Sequence, residues 1–228
     1  MKKILATLAA GTAIATSAPV LAQDGSPASA FAGPRIEAII GYDHNRSGST
    51  RDIDLPEPQS DQIKQTITGL TYGGGIGYDI AAGNNLVIGA EAELTDSTAS
   101  WDNNNGVPNE FALGQVKAGR DIYVGARVGY AMSPTTMLYA KGGYTNARFG
   151  LLGTNGETNL NQRLDTDGFR VGAGVEQKFG SNVFGKLEYR YSNYSRAEFD
   201  FNGDTPDSSR FDIDTDRHQV VASVGLRF

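Results

Sequence analysis

From Arg35 to the end of the chain, stretches of ten to fourteen residues alternate apolar side chains with polar ones or glycine. Period two is the mark of a strand, because successive side chains of a strand point to opposite faces of its sheet. Eight such stretches follow one another. In the first, from Arg35 to about His44, Ile36, Ala38, Ile40 and Tyr42 oppose Glu37, Ile39, Gly41 and Asp43. Near 69–80, Leu70, Tyr72, Ile76, Tyr78 and Ile80 oppose Thr71, Gly73, Gly75, Gly77 and Asp79, and near 86–97, Leu86, Ile88 and Leu94 oppose Val87, Glu91 and Glu93. Near 120–132, Ile122, Val124, Val128 and Tyr130 oppose Asp121, Tyr123 and Arg127, and near 136–148, Leu138 and Tyr144 oppose Tyr139 and Lys141. Near 167–179, Phe169, Val171, Val175 and Phe179 oppose Arg170, Glu176 and Lys178. Near 183–199, Val183, Leu187, Tyr189 and Tyr191 oppose Lys186, Glu188 and Arg190, and over 216–228, Val220, Val224, Leu226 and Phe228 oppose Gln219, Ser223 and Arg227.

The links between these stretches alternate in length. Residues 81–85, 133–135 and 180–182 are short connections, whereas 45–68, 98–119, 149–166 and 200–215 are long and rich in Asp, Asn, Ser, Thr and Pro. An antiparallel meander of this kind places all short turns at one end and all long loops at the other. That is the plan of a bacterial outer-membrane barrel, with short periplasmic turns and long external loops, and it puts both ends of the barrel on the periplasmic side. The fold class expected is all-β: an eight-stranded, antiparallel, up-and-down transmembrane barrel. The aromatics sort with it. Tyr78, Tyr130, Phe179 and Phe228 fall near the short-turn end, and Tyr42, Tyr72, Tyr144, Phe169 and Tyr191 near the long-loop end. Two aromatic girdles bracketing Ile, Val, Leu and Ala suit a lipid-facing surface, since these rings sit well at headgroup level.

Composition narrows the partners. The absence of any mature run of eighteen apolar residues excludes helical membrane spans. A formal net charge of −6 argues against nucleic acid, and no Cys among 228 residues excludes disulfides, thiol nucleophiles and cysteine zinc sites. His44 and His218 are the only histidines, so His-rich metal sites are excluded too. Lys2 and Lys3, an Ala-rich stretch from Ile4 to Val20, and Val20-Leu21-Ala22 read as a secretory signal peptide over 1–22, cleaved before Gln23. Ala28-Ser29-Ala30 offers a second, less favoured cleavage site. Residues 23–33 then form a short periplasmic segment ahead of a barrel domain over 34–228, and the sequence leaves open whether that segment enters the barrel.

The chain resembles the small eight-stranded outer-membrane barrels of the opacity-like surface antigens and "porin family" proteins of Gram-negative bacteria. The resemblance covers roughly Gly33 to Phe228 and rests on three stretches and the leader. The stretches are Leu70-Thr71-Tyr72-Gly73-Gly74-Gly75-Ile76-Gly77-Tyr78, Tyr189-Arg190-Tyr191 and the terminal Val220 to Phe228. It implies that Phe228, the final aromatic, is the signal read by the barrel-assembly machinery. It implies location in the outer membrane, with lipopolysaccharide as neighbour and host or cell-surface ligands at the long loops, and a monomeric state. It specifies architecture rather than activity.

The inward face therefore carries the functional question. Glu37, Asp79, Glu91, Glu93, Glu176 and Glu188 share it with Arg127, Lys141, Arg170, Lys186, Arg190 and Arg227, together with Asp43, Asp121 and Lys178. Eight strands leave an interior just wide enough for side chains to fill. Mixed signs there imply pairing across strands. Two readings follow: a salt-bridged plug in a structural surface protein, or a narrow water-filled path in a passive porin. Inward glycines such as Gly73, Gly77, Gly125 and Gly174 leave room for long side chains or for water. A lipid A-modifying enzyme is a distant third, since neither His44 nor His218 sits in a His-x-Ser-Asn stretch and no active site or cofactor site is legible. The aspartates of 200–216 suit oxygen-binding cations, but their spacing fits no defined loop. Arg46, Arg51, Lys64, Arg148, Arg163, Arg196 and Arg210, near the loop bases, suit lipopolysaccharide phosphates.

Overall fold

The computed structural model describes residues 25–47, 65–102, 113–154, 159–198 and 215–228. The leader expected over 1–22 and the acidic stretch 200–214 lie outside the described residues, as do Arg51, Lys64 and Arg210 and the side chains of Arg46, Arg163 and Arg196.

A short 3-10 helix, Pro27–Phe31, precedes the strands β1 (Gly33–Ser47), β2 (Gln65–Ala81), β3 (Leu86–Ser97), β4 (Ser100–Asp102), β5 (Leu113–Ala131), β6 (Thr136–Thr154), β7 (Asn159–Lys178), β8 (Val183–Glu198) and β9 (Thr215–Arg227). Each strand pairs antiparallel with its neighbour, β1 joins β9, and β3 joins β5, so the sheet closes on itself. The three-residue β4 continues the line of β3 past Thr98 and Ala99 and pairs with the outer part of β5. The nine segments thus make a closed eight-stranded barrel, in which no edge is left unpaired in lipid.

Both chain ends of the barrel meet at the mouth that carries the short connections. The Phe228 amide donates to the Pro34 carbonyl at 2.9 Å and the Arg227 amide to Asn182 at 2.8 Å. Gly33, where β1 begins, has a φ of 113°, and a Cβ there would come 2.2 Å from the Phe228 carbonyl oxygen. Only glycine fits that junction.

The burial pattern is inverted relative to a water-soluble domain. Ile36, Ile40, Ile76, Leu94, Val124, Leu187 and Val224 all face outward and are exposed, while charged side chains are buried. Of the expected girdles, Tyr78, Tyr130, Phe179 and Phe228 are exposed at the short-turn end, and Tyr42, Tyr72, Tyr144 and Phe169 at the other, with Tyr191 half-buried among its neighbours.

One feature departs from the sequence expectation. The strands are longer than the alternating stretches: β6 has 19 residues and β7 has 20, and their ladder runs to Thr154 opposite Asn159. Most of the long link expected over 149–166 is therefore paired strand. Outside the bilayer both faces of a ladder meet water, so hydrogen bonding continues where hydrophobic alternation has stopped. At the front of the chain, where the sequence leaves open whether residues 23–33 enter the barrel, residues 27–32 are tucked into its short-turn mouth. Ala28 and Phe31 are fully buried, in a cluster with Val87, Ala131, Met137 and Tyr139. The Ala28 amide donates to Asn84 at 3.0 Å, Lys178 Nζ to the Ala30 carbonyl at 2.7 Å, and the Arg227 guanidinium to the Phe31 carbonyl.

Candidate functional site

The period-two pleat sends every second side chain into the barrel, and these side chains fill it. The buried acids are Glu37, Asp43, Asp79, Glu91, Glu93, Asp121, Glu176 and Glu188. The buried bases are Arg35, Arg127, Lys141, Arg170, Lys186, Arg190, Arg217 and Arg227, eight against eight, so the lumen is formally neutral among the described residues. None of the sixteen is more than 5% exposed.

They are stacked in three tiers. At the short-turn end, Asp79 accepts from Arg35 Nε at 3.0 Å, from Arg127 at 2.7 and 2.8 Å, and from Arg227 at 2.8 Å. Glu176 completes that tier by accepting from Arg127 and Arg227, each at 2.8 Å. Asp79 stands opposite Gly89 in the register, and a Cβ on Gly89 would lie 2.0 Å from the carboxylate. The glycine is what lets a short acid take three arginines.

In the middle tier Lys141 Nζ lies 2.8 Å from Glu91, 2.6 Å from Glu93 and 3.1 Å from Glu188. Lys186 is 2.6 Å from Glu37, and Arg190 is 3.0 Å from Glu93 and bonded to Glu188. Arg35 links the first two tiers through Glu37, at 3.0 Å, and Glu91. In the outer tier Asp121 accepts from Arg217 at 2.6 Å, from Thr145 at 2.7 Å, from Tyr194 at 3.0 Å and from Arg170. Arg217 spans across to Asp43 with two further bonds at 2.8 and 2.6 Å.

Aromatic rings wall the cations in. Lys141 lies 4.6 Å and Arg170 5.3 Å from the centroid of Tyr123; Arg127 and Lys186 lie 5.2 and 5.5 Å from that of Tyr139. Tyr139 also donates to Glu188 at 2.6 Å. The inward glycines make the space for these groups. Gly77 abuts the Arg35 guanidinium, Gly125 the Tyr123 ring, Gly172 the Lys141 stem and Gly174 the Tyr139 ring. At these four positions a side chain occupies the space that a Cβ would fill.

All twelve lumen residues singled out from the sequence are buried and paired, and Asp43 and Asp121 join them. Lys178, expected on the same face, is half-buried at the rim and serves the 3-10 helix instead. Two arginines escaped sequence reasoning. Arg35 follows Pro34 at the very start of β1, and Arg217 lies beside the acidic 200–216 stretch, so each resembled a boundary residue. Their parity with Glu37 and Gln219 was the available signal. His44 and His218 lie outside the lumen, opposite each other on the outer face of β1 and β9.

Comparison with known proteins agrees with this architecture. The family model for the outer membrane protein beta-barrel domain matches residues 6–228. A 22 kDa outer membrane protein of Rhizobium leguminosarum bv. viciae is 31% identical over 162 residues, 69% of this chain and 68% of the relative. The 25 kDa outer-membrane immunogenic protein of Brucella canis is 33% identical over 115 residues; the match takes in 50% of this chain and 49% of that relative, so it spans about half of its length. Among solved structures, Neisserial surface protein A superposes with a TM-score of 0.47 at 14% identity, covering 85% of this chain and 97% of the other. OprG of Pseudomonas aeruginosa gives 0.41 at 13% identity over 86% and 96%. The chain belongs to the outer membrane protein beta-barrel family and is a protein of the bacterial outer membrane.

Proposed function

We propose that this chain is a structural, surface-exposed barrel whose lumen is a closed plug rather than a conduit. The observation that carries the reading is the filled interior: sixteen neutralising charges, each bonded to an opposite charge, stacked through three tiers. An ion entering such a path has to displace a paired, desolvated charge. The neutral net charge also provides no electrostatic preference for either sign of solute. Support comes from the short-turn mouth, where Phe31 is fully buried.

On this reading the work of the protein lies at its surfaces. The outward apolar belt and girdles anchor it in lipid, with lipopolysaccharide at the outer rim, and the external loops meet host or cell surfaces. Phe228, exposed at the end of β9, is available to the barrel-assembly machinery. No catalytic role is assigned. Both histidines face lipid, where Tyr189 and Tyr191 are the aromatic neighbours of His218.

Single-channel recording of the refolded barrel in a planar bilayer tests the proposal, after a gel shift between unheated and boiled samples has shown that it is folded. The expected result is a silent membrane for the wild type. Discrete steps whose ion selectivity changes with Glu91→Gln or Arg127→Ala would make it a small porin.

A further inference from the structure

We propose that His44 and His218 form a two-histidine site for a first-row divalent transition metal, Cu²⁺ or Zn²⁺, on the lipid-facing wall at the outer headgroup level. The two residues are direct cross-strand partners, on β1 and β9. Both are half-buried and both point outward, since they share parity with the exposed Tyr42 and Val220. Their ring centroids stand 6.5 Å apart. With metal–nitrogen bonds near 2.0–2.1 Å, two imidazoles on one ion have centroids about 5.3 Å apart at a tetrahedral angle and about 6.5 Å apart when they lie opposite each other. The pair thus stands at the outer limit of bridging distance, and a tetrahedral ion requires the rings to close by about 1 Å through a change of side-chain rotamer.

The hydrogen bond between Tyr189 and His218 is compatible with a ligating form of His218. Tyr189 Oη lies 2.6 Å from His218 Nδ1. When Nδ1–H donates to that oxygen, Nε2 carries the free lone pair. Holding one ring nitrogen with an oxygen acceptor is how metal-binding imidazoles are generally oriented, and it raises their basicity. Tyr191, the register partner of His218 on β8, lies with its ring centroid 5.2 Å away. Asp216, two residues along the same face of β9, accepts from Tyr191 and, at 3.2 Å, from Asn193, and places a carboxylate beside the site. Neutral imidazole suits Cu²⁺, Ni²⁺ and Zn²⁺, and copper binds most tightly in that series. Two protein ligands leave the remaining positions for oxygen donors from water or headgroup phosphate.

The chain has no other histidine, which makes the test clean. Untagged, folded barrel in detergent micelles is titrated with Cu²⁺ and followed by electron paramagnetic resonance, with Zn²⁺ titration by calorimetry alongside. The expected result is one ion per barrel, with hyperfine structure from two imidazole nitrogens. Affinity is expected to fall at least tenfold in His44→Gln and in His218→Gln. Tyr189→Phe, which removes only the orienting oxygen, is expected to weaken binding several-fold with both nitrogens retained. A signal with one imidazole nitrogen or none, or equal affinity in a folded His44→Gln/His218→Gln double variant, would overturn the proposal. Folding of each variant is read by its heat-dependent gel shift, and the outward position of both residues leaves the lumen network untouched.

Discussion

Arg127 shows what single residues do in this interior. Its guanidinium bonds to Asp79 at 2.7 and 2.8 Å and to Glu176 at 2.8 Å, and its carbon lies 5.2 Å from the Tyr139 centroid. Removing one member of a buried ionic set leaves the others charged, desolvated and unpaired, which typically costs 3–5 kcal/mol. Arg127→Ala is therefore expected to lower the unfolding free energy by roughly 3–5 kcal/mol in a urea titration of the micelle-bound barrel. Pairing Arg127→Met with Glu176→Leu removes both charges, and the double loss should fall short of the sum of the two single losses by about 1–3 kcal/mol. Additive losses would mean that the two groups do not sense each other. At this scale the sequence was informative wherever a charge lay in the middle of an alternating stretch, as with Glu91, Glu93 and Lys141. It was silent for Arg35 and Arg217, because parity cannot be assigned at a boundary until the partner strand is known. It also placed Tyr123 and Tyr139 inward without showing that they wall in four cations, since that depends on contacts across strands distant in sequence.

Elements behave differently from residues because their limits are set by hydrogen bonding rather than by side-chain character. Hydrophobic alternation located all eight staves, since lipid outside and a packed lumen inside impose opposite chemistry on successive positions. It ended with the bilayer, whereas the ladder of β6 and β7 continues to Thr154 and Asn159. Amide exchange in micelles is expected to show this directly: Leu151, Leu152 and Asn161, all in that outer ladder, should exchange about a hundredfold more slowly than unprotected amides. Rates near the unprotected value would shorten the strands to the alternating core. The 3-10 helix Pro27–Phe31 was invisible for a different reason: five residues offer no periodicity, and Phe31 becomes informative only when the mouth that receives it exists. Truncating a fully buried Phe typically costs 3–5 kcal/mol. At this rim Phe31→Ala is expected to destabilise the folded barrel by about 3 kcal/mol in the same urea titration, with the heat-dependent gel shift retained. An unchanged midpoint would reduce the segment to a passive tail.

At the scale of the whole molecule, the barrel exchanges the usual places of apolar and charged residues, and the proposed closed lumen rests on that exchange. An eight-stranded interior is just wide enough for side chains to fill, and charge is costly against lipid, so the sixteen charges neutralise one another inward. This arrangement makes a prediction that separates a dry plug from a hydrated path. Mobile ions screen charges they can approach, with a Debye length of about 10 Å at 0.1 M salt and about 3 Å at 1 M. Lumen charges lining an aqueous path would be within reach of those ions, and their pairing would weaken as salt rises. In the proposed plug, pairs between Phe31 at one end and the Asp121–Arg217 tier at the other would be out of reach. The unfolding free energy of the wild type is therefore expected to change by less than about 1 kcal/mol between roughly 0.05 and 1 M sodium chloride. A loss of several kcal/mol across that range, together with ion conductance, would show that solvent reaches the tiers. Salt insensitivity in a silent barrel would instead leave the inward charges as the rigid frame on which the external surface is displayed.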